Sequence, residues 1–374
     1  MKKKIIFITG TRADYGKIKS IIKILEKSGF DIKIFITGMH LMKKFGETYN
    51  EIMINFSTKK IFKFKNYKPN NTLDLILSNT IIGFSKFLKK EKPDLVMTHG
   101  DRVETLAAAI SASFNNILVG HIEGGEISGS IDEHIRHSVS KLSHLHFVST
   151  NRAKRRLINM GEEKKNIFKV GSPDIDIMSS SNLPKIDHVK ERYDIKFNQY
   201  GILIYHPVTS EIKDISKNTN EVVLGAVNSN KKFIVIFPNN DPGNEKILNI
   251  YKKKIFHNKN FKIIRSMRFE YFISLLKNSS LIIGNSSTGV IEAPFYGITT
   301  INVGDRQNMR GFGQSIINVP HKKEKIKKQI NLNFGKRFRA SKDYGNGSSN
   351  KLICKILKKT STWKTSLQKT LNDK

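Results

Sequence analysis

The sequence DLVMTHGDRVETLAAAISASFNNILVGH, residues Asp94–His121, contains a complete unit of strand, helix and strand. Asp94–His99 and Ile117–His121 are short apolar runs of strand type, and Glu104–Phe114 between them has the spacing of an amphipathic helix. A helix that links two such strands is typical of a parallel sheet covered by helices. The stretch therefore predicts an α/β fold.

The same alternation continues in both directions and separates into two series. Further strands are predicted at Lys4–Thr9, Asp31–Ile36, Leu145–Ser149, Tyr200–Tyr205, Phe233–Phe237, Phe261–Ile264, Leu281–Gly284 and Thr299–Val303, and helices at Gly16–Ser28 and Thr72–Lys90. After Gly171 the pattern breaks into a stretch rich in Ser, Pro and Asp, which we interpret as a linker. We expect two doubly wound, Rossmann-like domains with a cleft between them, over residues 1–180 and 181–374, the second including the C-terminal tail.

The composition limits the class of partner. The chain has 65 Lys+Arg against 32 Asp+Glu, a net charge of +33, but the lysines recur along its length rather than in a patch. We therefore expect no specific nucleic acid, and an anionic substrate such as a nucleotide fits the basic excess. A single cysteine, Cys354, excludes internal disulfides and cysteine-rich zinc sites. With neither a membrane-spanning run nor a signal peptide in view, we expect a cytoplasmic protein with no membrane partner.

An acidic island interrupts the basic sequence between His99 and His137. These residues contain no Lys and six acids, namely Asp101, Glu104, Glu123, Glu126, Asp132 and Glu133. Carboxylates near glycines and histidines are what proton transfer requires, although N-caps explain single acids equally well. Asp132 opens a predicted helix, with Arg136 four residues on at salt-bridge spacing. HExxH and other recognisable ligand spacings do not occur, so we expect no metal.

Other polar residues follow predicted strands at positions suited to an anion. TGTRADYGK, residues Thr9–Lys17, places Arg12 and Lys17 near a helix start as candidate UDP-binding residues, although a plain strand-to-helix turn is an equal alternative. It is neither GxGxxG nor a Walker A loop, so no dinucleotide or ATP fingerprint is present. In the second half, the residues that follow strands and suit a diphosphate, a ribose or their neighbours are His206, Asn239, Asp241, Ser286, Ser287, Glu292 and Arg306.

Seven of these stretches together resemble one family. TGTRADYGKIK, THGDRVETLAAAISASFNN, HIEGGEISGSIDEHIRHSVSKLSH, HPVT, FPNNDPG, IGNSSTGVIEA and VGDRQNMR look like the hydrolysing UDP-N-acetylglucosamine (UDP-GlcNAc) 2-epimerases, which begin the synthesis of sialic and related nonulosonic acids. The resemblance covers about Lys4–Gly347. It implies a glycosyltransferase-B-like fold, a UDP-sugar substrate, no cofactor, no metal, and a homo-oligomer, either dimer or tetramer.

The resemblance also implies a reaction and a set of roles. UDP is eliminated to leave a 2-acetamidoglucal, and water then adds with inversion at C2 to release N-acetylmannosamine. By motif match, Asp101, Glu123 and Asp132 are the proton-transfer set, and Arg136 orients or neutralises Asp132. Which carboxylate removes the C2 proton stays open. The diphosphate would be held by Arg12, Arg102, His206, Ser286 and Ser287, and the uridine or ribose would contact Asn239 and Glu292.

Three alternatives stay open at this point. Related enzymes carry out the same reaction on nucleotide-linked N,N'-diacetylbacillosamine, and the shared motifs do not separate the two substrates. Discrimination is expected in less matched sequence such as Gly38–Asn66. A glycosyltransferase of similar fold would need an acceptor, and a basic nucleic-acid-binding protein would bind with an affinity that falls steeply with salt.

Overall fold

The chain forms two compact units in a computed structural model. The model describes residues 2–43, 46–67, 71–127, 131–208, 211–239, 243–307, 310 and 313–370. The first unit comprises the residues up to Glu126, Ile131–Ser179 and the residues from Gly345 onward, and the second is built chiefly from Ser180–Tyr344. The predicted second domain, residues 181–374, is therefore wrong at its C-terminal end, because the tail returns to the first unit.

The described residues of the first unit form a seven-stranded sheet. Its strands are β1 (Lys4–Thr9), β2 (Asp31–Ile36), β3 (Ile61–Lys63), β4 (Leu95–His99), β5 (Leu118–Ile122), β6 (Leu145–Val148) and β7 (Ile167–Lys169). They pair in parallel in the order β3-β2-β1-β4-β5-β6-β7. The helices in this part of the chain are α1 (Arg12–Lys27), α2 (Tyr49–Asn55), α3 (Leu73–Glu91), α4 (Val103–Phe114), α5 (Ile131–Leu142), α6 (Asn151–Asn159) and α7 (Pro173–Met178).

The second unit repeats the same strand order. Its strands are β8 (Gly201–Ile204), β9 (Phe233–Ile236), β10 (Phe261–Ile264), β11 (Ile282–Gly284), β12 (Thr300–Val303) and β13 (Ile316–Val319), arranged β10-β9-β8-β11-β12-β13 in parallel. Its helices are α8 (Ile186–Arg192), α9 (Ile215–Val227), α10 (Asn244–Lys254), α11 (Phe269–Lys277), α12 (Glu292–Phe295) and α13 (Lys323–Asn333). The last helix, α14 (Ser349–Leu357), belongs to the first unit.

Both sheets are doubly wound, as the alternation of strands and helices predicted. The chain reverses its direction of growth between β1 and β4 in the first unit, and between β8 and β11 in the second. Loops at the carboxyl ends of the two strands that flank such a reversal diverge and leave a crevice, where ligands of this fold bind. The topology therefore defines one place in each unit where a ligand is expected to bind.

The core of the first unit lies on both faces of its sheet. Side chains alternate along a strand, so Ile5 and Phe7 of β1 join one apolar cluster while Ile6 and Ile8 join the other. Burial on both faces explains why the strand reads as a nearly continuous apolar run. Helix α14 contributes Ile353 to the first of these clusters, which is why the tail belongs to this unit.

The described residues contain no helix long and apolar enough to cross a membrane.

Candidate active site

Some of the predicted residues lie at the two strand reversals, whereas Glu123 follows β5, Asn239 lies beyond β9 and Arg306 lies beyond β12. In the first unit Gly10 follows β1, and Gly100 and Asp101 follow its sheet neighbour β4. In the second unit His206 lies just beyond β8, and Asn285 directly follows β11, which pairs with β8. Each unit thus presents its chemistry at the carboxyl ends of its sheet.

The turn between β1 and α1 is held by hydrogen bonds among its own residues. Helix α1 begins at Arg12, four positions before the predicted start at Gly16, because Thr11 and Asp14 form a capping box. The Asp14 carboxylate accepts hydrogen bonds from the backbone N–H groups of Gly10 (3.0 Å) and Thr11 (3.2 Å). Donors that an anion would use at this turn are therefore engaged, which favours the plain-turn alternative for the backbone. The side chain of Arg12 pairs with Glu51, with 3.1 Å between Nε and Oε2.

Glu123 is the centre of a buried ionic cluster in the first unit. Its Oε2 lies 3.2 Å from Lys17 Nζ and 3.1 Å from His99 Nε2, and its Oε1 accepts a 2.6 Å hydrogen bond from Ser172 Oγ. Lys17 also pairs with Asp174, with 2.8 Å between Nζ and Oδ2. Lys17 was predicted to contact UDP, and the structure places its ammonium group between two protein carboxylates.

The two carboxylates of this cluster have opposite pKa shifts. Burial acts to raise the pKa of Glu123, but the charge of Lys17 and the hydrogen bonds from His99 and Ser172 hold that pKa well below its ordinary value. Burial dominates at Asp174, whose pKa is raised although Lys17 opposes the shift. The cluster therefore favours the ionised form of Glu123 at neutral pH.

Asp101 is held by Arg136, which extends from α5. The Arg136 guanidinium donates to Asp101 Oδ2 and, at 3.0 Å, to the backbone carbonyl of Glu126. Asp132 lies in the first turn of the same helix. Arg136 was predicted to act on Asp132, and the structure pairs it with Asp101. Arg102 occupies the N-cap position of α4 without a side-chain capping hydrogen bond, and its side chain is 44% exposed.

His121 is a structural residue of β5. Its Nε2 is 2.8 Å from the carbonyl of Gly100, and its Nδ1 is 3.1 Å from Ser140 Oγ. Complete burial lowers the pKa of His121 to about 3, so the ring is neutral. A neutral ring that donates from Nε2 to Gly100 fixes the loop that carries Asp101. His121 thus supports the site through the backbone.

In the second unit Asn285 joins the ends of β8 and β11. Its amide accepts from the His206 backbone N–H (2.7 Å) and donates to the His206 carbonyl (2.9 Å). The guanidinium of Arg306 donates to the Asn285 carbonyl at 2.9 Å. Gly284 is required before it, because a β-carbon there would lie 1.8 Å from the carbonyl oxygen of Ile204. Asn285 is therefore an anchor that brings His206 and Arg306 to one place.

His206 is arranged as a hydrogen-bond donor to an anion. Its Nδ1 accepts a 3.2 Å hydrogen bond from the backbone N–H of Asn239. Burial, with a contribution from Arg306, lowers the pKa of His206 to about 3, so the ring is neutral and carries its proton on Nε2. An Nε2–H group suits a phosphate oxygen.

The remaining predicted residues of the second unit follow β11, with one exception. Ser286 caps a short 3-10 turn, Ser287–Gly289, with its Oγ accepting from the Thr288 N–H. Glu292 begins the four-residue helix α12 and is buried. Asp241 lies outside the described residues.

Sequence reasoning missed several residues of the first-unit cluster. Ser172 and Asp174 fall in the stretch interpreted as a linker, and His99 was taken only as the end of a strand. Ser172, Pro173 and Asp174 form the cap and first turn of α7, a recognisable helix start that could have separated them from the linker. Among the described residues, no group of three or more His, Cys, Asp or Glu side chains is arranged to hold a metal ion.

Two parallel-sheet α/β units with polar residues at each strand reversal define a glycosyltransferase-B-like fold. Residues 23–358 match the family model described as UDP-N-acetylglucosamine 2-epimerase. The chain belongs to this family and is an enzyme of it, so the resemblance seen in the sequence is confirmed at that level.

Individual relatives support the assignment over the full length. The UDP-N-acetylglucosamine 2-epimerase of Neisseria meningitidis serogroup B is 40% identical over 377 residues, 99% of each chain. The UDP-N,N'-diacetylbacillosamine 2-epimerase (hydrolyzing) of Legionella pneumophila is 37% identical over 363 residues, 96% of each chain. The structure of Methanocaldococcus jannaschii UDP-GlcNAc 2-epimerase in complex with UDP-GlcNAc and UDP has a TM-score of 0.80 at 27% identity, covering 95% of this chain and 99% of that one.

Proposed function

We propose that this enzyme is a hydrolysing 2-epimerase that converts UDP-GlcNAc to UDP and N-acetylmannosamine, the first step of sialic acid synthesis. The observation that carries the proposal is the cluster that keeps Glu123 ionised, in the same unit as the Asp101–Arg136 pair. The Neisseria relative, 40% identical over nearly the whole chain, supports the substrate. The Legionella relative supports the hydrolysing outcome.

The proposed reaction has two steps. In the first, the bond between C1 and the diphosphate oxygen breaks, the electron pair leaves with UDP, and the C2 proton passes to a carboxylate. In the second, water adds its oxygen to C1 of the 2-acetamidoglucal and gives up one proton to a carboxylate, while a second acid delivers a proton to the opposite face of C2. The sum is hydrolysis with inversion at C2, and it requires one group that accepts a proton and one that gives it.

The charge state of Glu123 limits how the first step proceeds. A carboxylate with a lowered pKa is a weak base, and the C2 proton of an intact sugar is only weakly acidic. As the bond to UDP breaks, positive charge develops at C1 and makes the C2 proton far more acidic. We therefore propose that UDP departure leads proton transfer, with ionised Glu123 stabilising that charge. Asp101 and Asp132 are the remaining members of the proton-transfer set.

The second unit is proposed to hold the nucleotide. Neutral His206 offers its Nε2–H to the diphosphate, and Arg306, fixed through Asn285, supplies positive charge for the leaving group. Ser286 and Ser287 are proposed to contact the same phosphates. Asn239, Asp241 and Glu292 are proposed for the uridine and ribose. In the first unit, Arg12 and Arg102 are proposed as further diphosphate contacts.

A second candidate is the same reaction on UDP-N,N'-diacetylbacillosamine, which the 37% identity to the Legionella enzyme favours. The deciding experiment is an NMR time course in D₂O with each sugar nucleotide. The first candidate predicts UDP and N-acetylmannosamine carrying deuterium at C2. Conversion of only the diacetamido sugar supports the second candidate, and no conversion of either overturns both.

By its family resemblance we propose that the enzyme is a cytoplasmic homo-oligomer, either dimer or tetramer. Light scattering on the purified chain tests the oligomer, and a monomer at micromolar concentration would contradict it.

A further inference from the structure

Glu104 is a buried carboxylate to which the proposed reaction gives no role. It lies in the first turn of α4 and is 4% exposed. Within the described part of the chain its Oε2 has no hydrogen-bond partner. The same oxygen forms an ion pair with Arg102, with 3.4 Å between Oε2 and Nε. Burial of a charged carboxylate is costly unless hydrogen bonds satisfy its oxygens. Glu104 therefore has hydrogen-bonding capacity that the described protein groups do not fill.

Two glycines make room for this carboxylate at the carboxyl edge of the sheet. A β-carbon on Gly10 would lie 2.9 Å from the Glu104 carboxyl carbon, and one on Gly38 would lie 2.5 Å from Oε1. Gly10 follows β1 and Gly38 follows β2 by one residue. The carboxylate thus lies beside the strand reversal, on the same edge as Asp101, where this fold binds its ligand.

The surroundings hold the carboxylate in place. Gly38 donates its backbone N–H to Asn66 Oδ1 at 3.0 Å, and Asn66 Nδ2 donates to Thr80 Oγ1 at 2.8 Å. The segment that follows β2 is therefore fixed against Glu104. Glu104 itself lies in the first turn of α4, at the positive end of the helix dipole.

We propose that Glu104 is a specificity-determining residue that accepts hydrogen bonds from hydroxyl groups on the sugar ring of the substrate. The inference rests on the proposed function for the identity of that substrate. A carboxylate repels the diphosphate, so the part of a sugar nucleotide that fits Glu104 is neutral and carries hydrogen-bond donors. Ring hydroxyls meet both conditions. The proposal also explains why the segment beginning at Gly38, where discrimination was expected, lies against an acid.

The first test compares the affinities for UDP-GlcNAc and for UDP by calorimetry. Measurements use the Glu123→Gln background so that the sugar nucleotide is not consumed. Loss of a hydrogen bond to a charged group predicts that Glu104→Gln weakens UDP-GlcNAc binding by about tenfold or more, while the affinity for UDP, which lacks the GlcNAc ring, changes by less than about twofold. Equal weakening for both ligands, or no weakening for either, overturns the proposal.

Glu91→Gln is the matched control in the same background. Glu91 is a partly buried carboxylate of the first unit with a basic partner at a similar distance, 3.3 Å from Lys4 Nζ, but it is the last residue of α3. It should change neither affinity. Melting temperatures verify folding. If Glu104→Gln does not fold, Glu104→Asp replaces it, because this change keeps the charge but shortens the side chain. The same selective loss of UDP-GlcNAc affinity is expected.

The second test identifies the contact. UDP-GlcNAc analogues lacking the 3-, 4- or 6-hydroxyl are bound to the Glu123→Gln protein with and without Glu104→Gln. The hydroxyl that Glu104 contacts should show strong non-additivity, because its removal costs affinity only while the carboxylate is present. Additive losses for all three analogues overturn the proposal. An inactive native enzyme would refute the proposed function alone, whereas these binding comparisons judge Glu104 independently of turnover.

Discussion

At the scale of single residues, Glu123 combines an unfavourable backbone conformation with a demanding electrostatic position. Its φ of +65° lies in the left-handed region, which costs energy for a residue with a β-carbon. The surrounding contacts overcome that cost, since Lys17, His99 and Ser172 all bind its carboxylate. Strain of this kind is concentrated at functional sites, and here it directs a carboxylate into a cluster that keeps it charged.

Conservative changes at the proton-transfer residues should abolish most turnover without unfolding the protein. We expect Asp101→Asn, Glu123→Gln and Asp132→Asn each to lower kcat by about 10²- to 10⁴-fold, the usual contribution of a positioned proton-transfer group. Release of UDP in a coupled assay measures the effect, and circular dichroism monitors the fold. Normal turnover by all three variants would refute the assignment.

Replacing Lys17 should change the pH dependence more than the affinity for UDP. The pKa of Glu123 is lowered in the folded protein, and the charge of Lys17 is the largest of the effects that lower it. Lys17→Met removes that charge, so the pKa of Glu123 should rise. Activity that depends on ionised Glu123 should then be lost at a higher pH than in the native enzyme as the pH falls. The acid limb of the kcat profile measures this shift.

The same variant separates the two roles considered for Lys17. Because its ammonium group binds Glu123 and Asp174, we expect the calorimetric Kd for UDP to stay within about twofold, since no hydrogen bond to the ligand is lost. An unchanged acid limb together with weakened UDP binding would instead support the direct contact with UDP predicted from the sequence.

At the scale of elements, ten of the thirteen described strands were predicted, and the three that were missed, β3, β7 and β13, are all edge strands. β1, β2 and β10 occur with the predicted bounds, because each is an apolar run flanked by polar residues. β3 and β7 were missed, since both read IFK and offer only two apolar residues each. Pairing with a neighbouring strand, rather than local sequence, makes such segments strands.

Helix α14 should be an integral part of the first unit. Leu357 is fully buried in the cluster that contains Ile5 and Phe7, so Leu357→Ala should lower the free energy of unfolding by about 2–5 kcal/mol. Trp363, the single tryptophan, packs against the same cluster and reports this transition by fluorescence in urea. Leu352→Ala is the control, because that side chain is 38% exposed and should cost about 0.5 kcal/mol or less. Equal effects of the two changes would show that α14 does not contribute to this core.

At the scale of the whole molecule, the chain builds one strand order twice and then returns to its first unit. Both sheets share the arrangement in which the chain reverses after its third strand, and each reversal collects polar residues of a different kind. The first unit holds carboxylates and the cations that control them, and the second holds a neutral histidine, an arginine and hydroxyls. The two units therefore differ in the chemistry that they present.

The net charge of +33 should make substrate capture sensitive to salt. Attraction of an anionic sugar nucleotide to a basic protein is screened at high ionic strength, so kcat/KM should fall by about tenfold between low salt and about 0.5 M NaCl. Steady-state kinetics across a salt series measure the effect. A constant kcat/KM would contradict a steering role for the basic surface. A nucleic-acid-binding protein would instead bind DNA with an affinity that falls steeply as salt is added, and the Asp101→Asn variant would keep that affinity.

The sequence by itself determined the α/β class, the two series of strands, the family, and the motif positions of Asp101, Glu123, Asp132, Arg136 and His206, because alternating apolar periodicity and motifs are local properties. Only the tertiary structure decided which of these groups meet. It placed Lys17 between Glu123 and Asp174, joined Asp101 to Arg136, and returned α14 to the first unit. The physical reason is that ion pairs and cores form between residues far apart in the chain, where burial and distance set their energies and no local pattern records them.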